Sequence, residues 1–202
     1  MSSRPVLLVV ALPAEARPLI RAFEMQRLPA TEAPIYRRRN LRLIISGVGR
    51  RQAWLAVHHL RNCLPPGEDC RPPIWLNIGI AGHATEKIGT ALLARQLADA
   101  TTGESWSLRI PPGAPCAADT LTTLDAPDNT YPHSGMIDME ASGFFTAVCE
   151  IGNPAHVLCL KIVSDNPQQT SKGINGRFVR GLISDKLDLI RALIVLIAND
   201  KG

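Results

Sequence analysis

Four short apolar runs, Val6 to Ala11, Leu41 to Ser46, Ile74 to Ile78 and His156 to Val163, most constrain what this chain folds into. They are nearly continuous rather than alternating, which marks strands covered on both faces, as in parallel sheets sandwiched by helices. Helical spacings lie between and after them, over Glu15 to Phe23, Arg51 to Cys63, Ala141 to about Ile151 and Arg177 to Asn199. Strands alternating with helices predict an α/β fold: a single three-layer domain over residues 1–202, with a mostly parallel but mixed twisted sheet flanked by helices. Pro34 to Arg38 and Leu41 to Ser46 read as a hairpin turning at Arg39-Asn40. Asn62 and the Pro65-Pro66-Gly67 break close the second helix, and the Ile74 strand ends in a turn at Gly79-Ile80-Ala81-Gly82. Further on, Ala91 to Leu97 and Met136 to Met139 predict strands, with the proline-rich stretch from Arg109 to Pro127 as strands joined by loops.

At 202 residues the chain suits one domain with a sizeable core, and 46% apolar with 20% charged residues is the balance of a folded protein. A net charge of +4 invites a nucleic-acid partner, but the basic residues are scattered outside Arg37-Arg38-Arg39 and aromatics make up only 4%. Single-stranded binders need stacking aromatics beside their charge, so no nucleic acid is expected. The five cysteines, Cys63, Cys70, Cys116, Cys149 and Cys159, are odd in number and form no C-x-x-C pair, which fits a reducing compartment. The five histidines show no ligand spacing, so no metal is expected, and His58-His59 read as one packing and one surface residue of a helix. Arg4 followed by Val6 to Leu12 and Ala14-Glu15-Ala16 imitates a signal peptide, yet the same letters read as a buried strand entering a helix. No apolar run reaches the roughly 18 residues that span a bilayer. The expectation is a soluble cytoplasmic protein with no membrane partner.

Ligands of open α/β sheets sit at the carboxyl ends of the strands, so residues ending strands are the ones to examine. Ser46-Gly47-Val48-Gly49-Arg50 joins a strand to a helix, where backbone N–H groups and the helix start favour an anion or hydroxyl. It is neither a Walker loop nor a dinucleotide G-x-G-x-x-G. Ser164-Asp165 emerges from the last apolar run, and Glu15 follows the first. Met136-Ile137-Asp138-Met139-Glu140-Ala141-Ser142-Gly143 sets two acids two residues apart ahead of small residues that let a helix start close by. Each feature also has a plainer reading: a glycine turn as punctuation, Asp165 as an N-cap, Glu15 as a first-turn acid facing the helix dipole.

Their order along the chain is what distinguishes them. Ala11-Leu12-Pro13-Ala14-Glu15, Ser46-Gly47-Val48-Gly49, Asn77-Ile78-Gly79-Ile80-Ala81-Gly82 with Ile88-Gly89, Asp138-Met139-Glu140-Ala141, and Ser164-Asp165 together resemble the nucleoside phosphorylase superfamily. Within it the motifs most resemble the 5'-methylthioadenosine/S-adenosylhomocysteine nucleosidases and related hydrolases. Ala14 to Arg17 and the Asp-Met-Glu-Ala motif are also similar to hopanoid-associated phosphorylase-like proteins.

The resemblance implies that Glu140 holds the ribose hydroxyls with Met139 packed beside the sugar. Asp165 would protonate or hydrogen-bond purine N7, oriented by Ser164, and Glu15 would activate the attacking water. Ser46, Gly79, Ala81 and Gly82 would line the sugar and base pockets. Breaking an N-glycosidic bond passes through an oxocarbenium-like sugar cation and leaves electrons on the base, so it needs an acid at the base, a carboxylate near the sugar and an oriented nucleophile. Hydrolysis of an adenine-type nucleoside, without a cofactor, is the leading expectation. Phosphorolysis, with phosphate as co-substrate held by Gly47, Gly49 and Arg50 or by Arg37 to Arg39 of a neighbouring subunit, is the alternative, and a nucleoside-binding protein without turnover is another. The resemblance also implies a homodimer or larger assembly. The chain departs from that family between Trp106 and Met136, where only Asp119-Thr120-Leu121-Thr122 stands as a counterpart and the base-stacking aromatic is missing. His83 and Asn166-Pro167 are further departures.

Overall fold

The computed structural model describes residues 4–29, 31, 33–64, 72–152 and 156–199; Cys70 and the Pro65-Pro66-Gly67 break lie outside them. The chain runs β1 (Val6–Val10), α1 (Pro13–Ala22), β2 (Gln26–Arg27), β3 (Ile35–Arg38), β4 (Leu41–Ile45), α2 (Arg50–Asn62) and β5 (Ile74–His83). It continues through β6 (Ala91–Asp99), β7 (Ser105–Ser107), β8 (Ala118–Thr123), β9 (Met136–Asp138), α3 (Ala141–Glu150), β10 (Val157–Asp165), α4 (Gly176–Ser184) and α5 (Leu187–Asn199).

The centre of the sheet is the parallel row β4–β1–β5–β10. Around it the pairing is mixed: β3 returns antiparallel on β4, β6 antiparallel on β10 and β9 antiparallel on the end of β5, while β8 runs parallel to both β6 and β9. The predicted hairpin is the β3–β4 pair, with Arg39 at φ 51° in its turn. Because β5 pairs with β1 and β10 along its length and with β9 at its tip, the second half of the sheet curls back onto β5.

Strand alternation builds two cores. Leu7 and Val9 of β1 face one way, with Ala53, Val57 and Leu60 of α2 and Phe144 and Val148 of α3. Val6, Leu8 and Val10 face the other way, with Leu19 of α1, Ile183 of α4 and Ile190 and Leu193 of α5. All five β1 residues are fully buried, which is why the run carries no polar letters. The same burial decides the N-terminal apolar run in favour of a strand.

Two elements differ from expectation. The long helix over Arg177 to Asn199 is two helices, parted at Asp185-Lys186. Asn175 caps the first, its side chain accepting from the N–H groups of Arg177 and Phe178. Ser184-Asp185 favours a helix end over a helix interior, and the turn lets α4 lie on α1 while α5 closes the core beyond it. Secondly, Gly79 to Gly82 is no turn, since β5 runs on to His83. Its glycines have another purpose, described below. Among the described residues no helix is long and apolar enough to cross a membrane.

Candidate active site

The parallel strands β1, β4, β5 and β10 all end on one side, and the residues that follow them enclose a cavity of about 200 Å³. Glu15, Ala81, Gly82, Met139, Glu140, Ser164 and Asp165 of the expected site line it. Asp138 joins them, and Val48, Leu124, Pro127 and Ile174 supply an apolar wall. Ser46 and Gly79 stand just behind the lining: the Ser46 hydroxyl turns back to the Gly47 carbonyl at 2.7 Å. No aromatic side chain is among the described lining residues, in keeping with the departure noted in the sequence.

Glu15 is placed by the start of α1. Its Oε2 accepts the Leu12 N–H at 2.8 Å, the back-reach of an N3 glutamate, while its Oε1 accepts the Ile80 N–H at 3.0 Å and so ties the helix to β5. Burial pushes the carboxyl above its usual range, against the two amide donors and nearby Lys161, which pull it down.

Glu140 stands just beyond the short β9, immediately before α3, its Oε1 accepting the Gly49 N–H at 2.8 Å. The glycine turn therefore holds a carboxylate. Gly49 has φ 102°, a conformation only glycine adopts without strain, and this conformation aims its N–H at Glu140. Burial, then the neighbouring Asp138 charge, raise Glu140 to about 7. Asp138 lies deeper: its Oδ1 accepts from Thr123 Oγ1 at 2.7 Å, and its Oδ2 accepts from the Ala141 N–H at 2.9 Å and from Lys161 Nζ at 2.8 Å.

Lys161 joins this cluster although it belongs to none of the sequence motifs. It sits in the middle of β10, 1% exposed, with its ammonium on Asp138 Oδ2. Burial pulls its pKa down, but Asp138 and then Glu140 outweigh burial and hold the ammonium charged. A lone lysine in Val157-Leu158-Cys159-Leu160-Lys161-Ile162-Val163 was itself the signal, because a charge on a doubly covered strand has to be paired. Gly79 is the glycine that admits these groups: a Cβ there would stand 3.1 Å from Glu15 Oε1 and 3.4 Å from Lys161 Nζ.

Asp165 follows an irregularity in the β5–β10 pairing between Val163 and Asp165, and such a bulge re-aims the side chain into the cavity. Its Oδ1 accepts from Ser164 Oγ at 2.5 Å and its Oδ2 from Tyr131 Oη at 2.9 Å. Gly82 lies beneath it, where a Cβ would come within 2.8 Å of Oδ2. No local pattern announced Tyr131, since it reaches Asp165 from a loop.

The phosphate site does not form as expected. Arg50 points away from the cavity, its guanidinium donating to both Asp99 oxygens at 2.6 and 2.7 Å and also to Asp125 and Thr101. Burial pushes Asp99 up, yet Arg50 and the hydroxyl and amide donors around it hold it at about 2, a fixed ion pair. The Gly49 N–H is taken by Glu140, and Gly47, at φ 87°, serves the turn. Asp119, read as a counterpart of base recognition, lies outside the lining and pairs with buried His83 at 3.1 Å. The other histidine reading holds: His58 packs on Trp54 at 4.0 Å between ring centres, and His59 is exposed. Among the described residues no cluster suited to a metal ion occurs.

No family model and no curated protein matches the chain. Among solved structures, an Arabidopsis thaliana 5'-methylthioadenosine nucleosidase covers 100% of this chain and 98% of its own at TM-score 0.83, with 16% identity. The fold is that of the nucleosidases. The Colwellia psychrerythraea 34H 5'-methylthioadenosine/S-adenosylhomocysteine nucleosidase, solved with adenine, is similar over 96% of both chains at TM-score 0.76 and 14% identity. A Helicobacter pylori futalosine hydrolase is similar over 96% of this chain and 98% of its own at TM-score 0.73 and 13% identity. The likeness in fold to these hydrolases covers 96–100% of this chain.

The raised acids make stability depend on pH. A carboxyl whose folded value exceeds its unfolded one binds more protons folded, so stability is greatest below the unfolded value and falls as pH rises toward the folded value. For Glu140 that window runs from the ordinary glutamate value of 4.5 to about 7. We expect the unfolding free energy to fall across it by up to about 1.4 kcal/mol per pH unit for each such proton. Urea titrations of Glu140→Gln should show a flatter profile than the parent protein; identical slopes would contradict the assignment.

Proposed function

We propose that the protein hydrolyses the N-glycosidic bond of a purine nucleoside of the adenine type. The observation that carries this reading is the set of acids on one cavity, Asp165 at the end of β10, Glu140 at the start of α3 and Glu15 in the first turn of α1, with Lys161 buried behind them. Asp165, presented between two hydroxyls, gives its proton to N7 of the base. The C1′–N9 bond breaks with its electron pair going to the base. Glu140 accepts the ribose hydroxyls and its charge faces the developing sugar cation. A water delivers its oxygen to C1′ while Glu15 takes its proton, a role suited to a carboxylate whose basicity burial has raised. Asp138 and Lys161 orient the set and offset its charge.

Water rather than phosphate is favoured as nucleophile on electrostatic grounds. The amide donors at the strand ends are engaged by Glu15 and Glu140, Arg50 is engaged by Asp99 and Asp125, and the lining carries acids. A phosphate dianion would meet carboxylates there. The reading includes a homodimer or larger assembly, in the cytoplasm, working without a cofactor.

The test is incubation of pure protein with adenosine, inosine, methylthioadenosine and adenosylhomocysteine, with and without phosphate, following free base by chromatography. Base release without phosphate is expected, at the highest rate for a 6-amino nucleoside. Strict phosphate dependence would make the protein a phosphorylase, and binding without release would make it a nucleoside-binding protein.

A further inference from the structure

Asp165 is held from two sides, and only one of those sides belongs to the strand that carries it. Ser164 precedes it in β10, whereas Tyr131 comes from the loop between β8 and β9. Tyr131 is 7% exposed and adopts φ 50°, a left-handed conformation that costs a non-glycine residue energy and persists where surrounding contacts over-determine it. The same loop is pinned by Asn129, whose Oδ1 accepts from Ser171 N–H at 3.0 Å and Ser171 Oγ at 2.8 Å. That pin joins the loop to the segment leading into α4, and Asp128 and Ser171 both line the cavity. The strained residue and the pin together bring one phenol onto one carboxylate oxygen.

A tyrosine hydroxyl either donates or accepts. Here burial, and then the Asp165 carboxylate, raise the phenol well above its ordinary value, so it keeps its proton and acts as the donor. Ser164 behaves differently. Its Oγ lies 2.5 Å from Asp165 Oδ1 and 3.3 Å from the Ala81 carbonyl, and its single hydrogen serves one of the two at a time. When Asp165 is ionised, Ser164 donates to Oδ1. When Asp165 carries a proton on Oδ1, that proton points at Ser164 or into the cavity and Ser164 donates to Ala81. Both arrangements leave Oδ2 as an acceptor from Tyr131.

We propose that Tyr131 is a positioning residue for base protonation: by donating to Asp165 Oδ2 from the opposite side to Ser164, its hydroxyl confines the transferable proton to Oδ1 and fixes the plane of the acid against the base. The proposal rests on the nucleosidase reading and adds a residue to it. Tyr131 acts through Asp165 and touches no substrate, so its removal affects the step in which N7 gains a proton. A nucleoside already methylated at N7 loses its base without that proton, so its cleavage should not depend on Tyr131.

The experiment compares the full-length protein with Tyr131→Phe on a 6-amino nucleoside and on its N7-methylated counterpart, alongside calorimetric titration of both proteins with adenine. Tyr131→Phe is expected to lower kcat about 10- to 100-fold on the unmodified nucleoside, to change the rate on the N7-methylated one less than threefold, and to bind adenine at least fivefold more weakly. Equal losses on both nucleosides would reduce Tyr131 to a scaffold role and overturn the proposal, as would parent-like rates and adenine affinity. If the N7-methylated nucleoside is not cleaved even by the parent protein, the adenine titration decides, with unchanged affinity overturning the proposal. Failure of the nucleosidase reading looks different, because the parent protein would then release no base and bind no adenine.

Discussion

Replacing Asp165 with Asn is expected to lower kcat for base release about 100- to 10,000-fold, the range that a positioned general acid contributes. The amide keeps the shape of the carboxyl and keeps partners for Ser164 and Tyr131, since both hydroxyls can reverse from donor to acceptor. It cannot give N7 a proton of comparable acidity. The loss should therefore fall on kcat and kcat/KM together, as for an interaction made only in the transition state, while thermal unfolding stays close to the parent. Gly82 leaves room for this side chain and for nothing larger beside it, so the substituted group stays where the acid was. A rate within threefold of the parent would remove Asp165 from the chemistry.

The second large effect is on stability. Lys161→Met is expected to cost about 3–5 kcal/mol, because it strands buried Asp138 beside Glu140 and Glu15 without its cation. Removing one partner of a buried pair is worse than removing both. The double variant Lys161→Met with Asp138→Asn should thus regain a substantial part of the loss, despite carrying one more substitution. Denaturant unfolding of the parent, the single and the double variant measures this. A single variant within about 1 kcal/mol of the parent would mean that the ammonium does not hold these acids.

The parts of the molecule legible in the sequence are those whose cause is local. The Val6 to Val10 strand, the β3–β4 hairpin and the placing of Glu15, Glu140 and Asp165 at element ends follow from runs, turns and spacing along one stretch of chain. What escaped was set by contacts across the fold. Gly79 and Gly82 read as a turn because glycine usually marks one, whereas here they lie within a strand so that Glu15, Lys161 and Asp165 can approach the backbone. Arg50 read as a phosphate ligand from its place after Gly49, yet Asp99 and Asp125, distant in sequence, claim it. The break between α4 and α5 arises from packing on α1, which the helical spacing of Arg177 to Asn199 does not record. Tyr131 could not be found from its neighbours at all, since its partner lies 34 residues away.

The central claim is that water attacks the sugar from a cavity built of acids. Its most direct test is to run the reaction in heavy-oxygen water without phosphate and to determine the mass of the sugar product. The account predicts free sugar carrying one heavy oxygen at C1′, released in step with the base and lost together with it in Asp165→Asn. A sugar 1-phosphate formed only when phosphate is added, or no sugar released under either condition, would contradict it.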